Sequence, residues 1–164
     1  MGYCSASGDG KEEKKMIPVP YTYSDWAKVL DILKSKQDDA DVLAAMQKGT
    51  LEWQSGVADR FSKRLADAVN TRMNSASDRF QRDLSNARGS EGAIVQALLS
   101  LRKEMAFLVK AVNIPALPEE YRKQYVQLVR EQADNMQNSL EDSAKKDRSG
   151  KMSSIVRNHK VNML

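Results

Sequence analysis

The sequence predicts an all-α protein, a bundle of about four to five helices built on one long helix, and three observations carry that reading. No proline occurs between residues 21 and 114, so nothing there removes a backbone N–H or clashes with the preceding turn. Apolar residues recur at spacings of three and four, the period of a helix with one buried face. No two alternating runs are joined by an Asn-Gly turn, and no segment of roughly 20–50 residues repeats. At 164 residues one domain is the natural expectation.

Residues 1–15, MGYCSASGDGKEEKK, offer almost no bulky aliphatic surface and cannot offset the entropy of ordering. The MIPVPY run at 16–21 alternates its prolines, which favours an extended strap laid on the bundle through Ile17, Val19 and Tyr21. Residues 1–21 are therefore read as a disordered or extended segment, 22–145 as a single helical domain and 146–164 as a mobile basic tail.

The first helix is expected from Ser24, capped by Ser24 or Thr22, with Asp25 in its first turn. Trp26, Val29, Leu30 and Leu33 then form one stripe. After the polar SKQDD run, Asp39 can cap a short second helix carrying Val42, Leu43 and Met46. Gly49 stands where a left-handed residue commonly ends a helix.

The stretch 50–88 places Trp53, Val57, Phe61, Leu65, Val69 and Met73 at every fourth residue, then Ala76, Phe80 and Leu84. A spacing of four overshoots the helical turn by roughly 40° per step, so the stripe winds around the helix. The helix either kinks near Asn74–Ser77 or changes partners along its length. Unbroken, it would be about 58 Å long, and a projecting half would require a second chain.

Gly89 and Ser90 close this helix and open the next. Residues 94–112 are apolar on most of the circumference and are expected at the centre of the bundle. The NIPALP run ends that helix, with Pro118 near the first position of a last helix over about 118–145 and Glu119–Glu120 complementing its dipole. The apolar residues Ile155, Val156, Val161, Met163 and Leu164 hint that the tail docks at its end.

The chain carries 26 basic and 22 acidic groups, a formal charge of +4. By segment, 145–164 holds six cations and one Asp while 113–144 is net −3, so the body without the tail is slightly acidic. Two sets of cations are candidate contacts to nucleic acid or another partner. One is a helical face, Arg60, Arg64, Arg72, Arg79 and Arg82, whose guanidinium groups suit bidentate phosphate or carboxylate recognition. The other is the tail, Lys145, Lys146, Arg148, Lys151, Arg157 and Lys160. Pairing at i, i+4, as between Asp78 and Arg82, is the competing explanation for the face. A solvated terminus is the competing explanation for the tail.

Catalysis finds little support. The chain has one cysteine, Cys4, and one histidine, His159, too few for a Cys-based zinc site or a two-His ligand pair. Its glycines are too scattered to cradle a phosphate. Clustered acids occur only at Asp38, Asp39, Asp41 and at Glu119, Glu120, which read as helix starts. No metal, cofactor or small-molecule substrate is expected. The aromatic residues Trp26, Trp53, Phe61, Phe80 and Phe107 read as core rather than as a ligand cage.

Gly2 and Cys4 resemble a doubly acylated start, but Ala6 occupies the position where myristoylation wants Ser or Thr. No apolar run suits a signal peptide or a membrane span, so a cytoplasmic setting is expected. The residues point to a non-enzymatic helical interaction or assembly subunit, self-associating through its long helix as a dimer. A helical nucleic-acid-binding subunit is the alternative, and an acylated peripheral membrane protein a third reading.

Overall fold

The computed structural model describes residues 16–35 and 39–158. Six α-helices and no strand occur among them: α1 Tyr23–Ser35, α2 Asp39–Lys48, α3 Ser55–Asn86, α4 Glu91–Val112, α5 Glu119–Lys146 and α6 Lys151–Asn158. The all-helical class is as expected; the sixth helix is not.

Residues 16–21 are extended and lead into α1, but Pro20 is the buried residue of this strap, and Tyr21, expected to pack, is 62% exposed. α1 begins one residue earlier than expected because Thr22 and Asp25 cap it reciprocally. The Thr22 hydroxyl accepts from the Asp25 N–H at 3.3 Å, and the Asp25 carboxylate accepts from the Thr22 N–H at 3.0 Å and its hydroxyl at 2.8 Å. These are otherwise unsatisfied groups of a first turn. Inside, α1 buries the expected Trp26, Val29, Leu30 and Leu33.

α2 buries Val42, Ala45 and Met46, and its end corrects one expectation. Gly49 does not adopt a positive φ; it is glycine for want of space. A Cβ there would lie 2.6 Å from Cζ2 of Trp26 and 2.8 Å from Cγ of Pro20. The neighbouring Thr50 carbonyl accepts from the Trp26 indole N–H at 2.9 Å, and the Thr50 N–H donates to the Pro20 carbonyl at 3.1 Å. Gly49→Ala therefore forces the Trp26 ring or the strap outward, and we expect a loss of about 1–3 kcal/mol in urea unfolding. An unchanged midpoint would mean the strap yields freely.

α3 is one unbroken helix through Asn74–Ser77, about 48 Å long at 1.5 Å per residue. Trp53 precedes it rather than belonging to it. The winding stripe is resolved by a change of partners: α3 packs on α1 and α4, with a lesser contact to α5. Phe61, Leu65, Val69, Met73, Ala76 and Phe80 are all buried within the single chain. Val57 and Leu84, towards its ends, are half-buried, so the middle of the stripe is covered without a second chain. α3 ends through Ala87, then turns on two positive-φ residues, Arg88 at 46° and Gly89 at 78°, before Ser90 leads into α4.

α4 is central, touching α2, α3, α5 and α6. It is not buried all round, since Leu99 remains 51% exposed. Pro118 occupies the position before α5 rather than its first turn. α5 buries Tyr125, Val129, Ala133, Leu140 and Ala144, and the Tyr125 hydroxyl donates to the Ser62 carbonyl of α3 at 2.9 Å.

The segment read as the start of a mobile tail instead folds back as α6. Gly150 makes the turn with a φ of 71°. Asp147 fastens it: its carboxylate accepts from the Met152 N–H at 3.0 Å, the Ser149 N–H at 3.0 Å and the Ser149 hydroxyl at 2.8 Å. Ile155 is buried in the common core, so this stretch docks through that residue.

Two carboxylates thus serve as helix caps. The Thr22 hydroxyl and N–H hold the Asp25 carboxyl below its ordinary pKa. The Met152 N–H and Ser149 do the same for Asp147. A folded pKa below the unfolded one contributes stability above the unfolded value, and that contribution is lost as pH falls through the folded value. The urea midpoint should accordingly be insensitive to these groups near neutrality and decline below about pH 4. Asp25→Asn should flatten part of that decline. An identical acid limb in the variant would show that the cap does not contribute.

Candidate functional site

The aromatic residues form structure. Phe61 sits edge-on to Trp26 with centroids 5.2 Å apart and to Trp53 at 5.7 Å, and Trp53 stacks on Tyr121 at 5.7 Å. The Trp53 indole N–H donates to the Ala116 carbonyl at 2.7 Å, so the loop before α3 is tied to the turn before α5.

The five arginines do not form one exposed surface. Arg60 donates to the Gly56 carbonyl at 2.9 Å and lies 5.0 Å from the Tyr23 ring centroid. Arg64 grips both oxygens of Asp31 on α1, at 2.9 and 2.8 Å, and that hydrogen bond raises the guanidinium pKa further. With Lys34–Asp67 at 2.7 Å it clasps α1 to α3 at the surface. Arg79 is half-buried beside Phe80, Asp83 and Glu104 in the crevice between α3 and α4. Arg82 is exposed and bonds the Asp78 carbonyl at 3.4 Å. The row thus runs from the α1 flank at Arg64 into the interior at Arg72 and back to solvent at Arg82.

Arg72 enters that interior, at 2% exposure. Its Nε donates to Glu104 Oε1 at 2.7 Å, where Nη2 also meets the carboxylate. Nη1 donates to Asp39 at 2.8 Å and to the Leu33 carbonyl at 3.2 Å. The guanidinium lies 4.4 Å from the Phe107 ring centroid. One side chain of α3 therefore joins the end of α1, the start of α2 and the middle of α4. This is an internal junction and offers nothing to an outside ligand. Asp39, expected as a helix cap, is one of its carboxylates.

The tail cations are dispersed as well. Lys145 pairs with Asp142 at 3.3 Å, Lys146 and Arg148 are exposed at the turn, and Lys151 and Arg157 lie on the outer side of α6. Lys160, Gly2, Cys4, Asp38 and His159 lie outside the described residues. Of the remaining acids, Glu119 pairs with Lys123 at 2.7 Å and Glu120 faces solvent.

A different surface brings cations together. Arg122, Val126 and Arg130 follow one stripe of α5 at steps of four, because Tyr125 and Val129 beside them turn inward. They face Val109 of α4 and Asn113 just beyond its end across a groove of about 370 Å³, with Glu119 and Lys123 at its end. The Nε of Arg122 is buried without a hydrogen-bond partner among the described residues. The floor is apolar and the rim basic, which suits a ligand offering carboxylates over an apolar body. A larger depression of about 540 Å³ beside Tyr21, Leu51 and Val57 has no cation in its lining and one acid, Glu52. The arginine pair leaves no mark on the net charge of its segment, since the acids on other faces of α5 make the sum negative.

The chain matches no family model, and no curated protein or solved structure resembles it significantly. Among the described residues no group of His, Cys, Asp or Glu is placed to hold a metal ion, and no helix is long and apolar enough to cross a membrane.

Proposed function

We propose that this chain is a non-enzymatic helical interaction protein, a subunit that holds another protein against its α4–α5 face. The cation-rimmed, apolar-floored groove carries the reading. Several of the other prominent groups are occupied internally: Arg72, Asp39 and Glu104 join helices, Arg64 binds Asp31, and the indoles bond to loop carbonyls. The long stripe of α3 is covered by α1 and α4 of the same chain, which favours a different protein over a second copy as partner. The lone Cys4 agrees with work in the reducing cytoplasm.

The experiment is affinity capture of the full chain from its own cell extract after nuclease treatment, beside Arg122→Glu/Arg130→Glu, with sedimentation equilibrium of the purified protein. The expected outcome is a protein partner that survives nuclease, is lost from the variant, and accompanies a chain sedimenting near 18.4 kDa alone. Bound material that vanishes with nuclease would replace this reading with the nucleic-acid one. A stable homodimer that captures nothing else would return it to self-association.

A further inference from the structure

We propose that the open half of the α4–α5 groove docks an amphipathic helix with acidic flanks, supplied by the partner protein. The inference rests on the interaction reading above and names the partner's chemistry. The chain itself shows what such a cleft accepts. α6 touches α4 and α5 and no other helix among the described residues, burying Ile155 with Met152 and Val156 beside it. A helix of eight residues is thus seated between the same two helices that bound the open groove. Both lie away from α3. α6 makes no contact with α3, while Val109 stands roughly 140° around α4 from Glu104, which meets Arg72 of α3.

Charge divides this cleft into halves. From Glu131 to Asp142, α5 carries four carboxylates and no cation. The helix beside that end is basic, with Lys151 and Arg157 and no acid, and is held there by the Ser153 hydroxyl donating to the Ala144 carbonyl at 2.8 Å. At the open end the sign is reversed. Arg122 and Arg130 form no ion pair among the described residues, and the single acid there, Glu119, is taken by Lys123. A helix complementary to this half carries carboxylates where α6 carries cations. Glu119 to Arg130 spans about 16 Å, the length of three helical turns. The two arginines stand about 12 Å apart along α5, so they match carboxylates seven or eight residues apart on the docked helix. Val109 and Val126 receive its apolar residues. The same floor disfavours nucleic acid, because no aromatic ring lines the groove to stack on a base.

The test uses the full chain and two synthetic helical peptides with identical apolar residues at i, i+3, i+4 and i+7. One is flanked by Glu, including a pair seven apart, and the other by Lys. Fluorescence anisotropy at moderate salt compares them with single- and double-stranded oligonucleotides. The acidic peptide should bind saturably and the Lys peptide should not. Arg122→Glu/Arg130→Glu should weaken the acidic peptide at least about tenfold. The exposed Arg130→Glu alone should weaken it less while leaving the unfolding midpoint unchanged. No binding of the acidic peptide, equal binding of both peptides, or oligonucleotide binding through the same arginines would overturn the proposal. If an extract partner depends on these arginines while the acidic peptide fails, the interaction reading stands and the acidic helix falls. If the double variant keeps that partner, the groove falls as its site, whatever the peptide does.

Discussion

Arg72→Ala should lower the stability of the chain by about 3–5 kcal/mol, read as a shift of the urea midpoint at constant slope. The cause is what remains behind. Glu104 is 7% exposed and loses the guanidinium whose Nε and Nη2 meet its carboxylate, and breaking a buried ion pair by removing one member costs far more than the pair contributed. The Leu33 carbonyl at the end of α1 loses its donor, and Asp39 loses its hold on α3. Arg72→Lys should recover only part of the loss, because a single ammonium cannot reach three directions as the planar guanidinium does. Arg72→Met/Glu104→Leu should cost less than Arg72→Ala alone, since it removes the buried carboxylate together with the cation it faces. The buried pair should also resist salt, whereas the exposed Lys34–Asp67 pair should be screened. A loss below about 1 kcal/mol for Arg72→Ala, the scale of an exposed pair, would contradict the burial of this junction.

The same junction shows where periodicity informs and where it stops. The stripes of α1 and α4, the punctuation at Gly89–Ser90 and the proline turn before α5 were legible because each follows from backbone sterics or from a repeat that commits one face to burial. Arg72 and Glu104 carried a weaker signal. Arg72 lies seven residues after Leu65 and four before Ala76, and Glu104 lies three after Leu101 and four before Leu108. Each interrupts an apolar row, and their signs are opposite. That pattern can locate a buried ion pair, but the surface arginines on the same side of α3 mask it. Gly49 shows the other limit: the close approach of Trp26 and Pro20 depends on tertiary placement and leaves no local mark. α6 was lost because Gly150 serves equally to end a chain's order or to turn it back. The groove was concealed for a similar reason, since a segment's net charge adds faces that never meet the same ligand.

Phe61→Ala should cost about 3–5 kcal/mol and should be felt at the functional face as well as in stability. Phe61 is fully buried and sits edge-on between Trp26 and Trp53, with interplanar angles of 90° and 81°. Its removal forfeits the transfer energy of the ring and leaves a cavity among three elements that meet there. Each aromatic pair adds about 0.5–1.5 kcal/mol, so a double-mutant cycle with Trp26→Leu should return coupling of that size. Phe61→Leu, closer in volume, should cost less. The consequence travels by a short route. Trp53 stacks on Tyr121 and bonds to the Ala116 carbonyl, so the ring packed against Phe61 also seats the first turn of α5. Arg122 is the next residue after Tyr121. A loosened Trp53 should therefore red-shift tryptophan emission and weaken acidic-peptide binding under conditions where the chain remains folded. Phe80→Ala, on the half of α3 remote from this cluster, should destabilise without changing the affinity of the folded fraction. Equal effects of the two substitutions on binding would break the link between the aromatic cluster and the groove, leaving Phe61 a core residue alone.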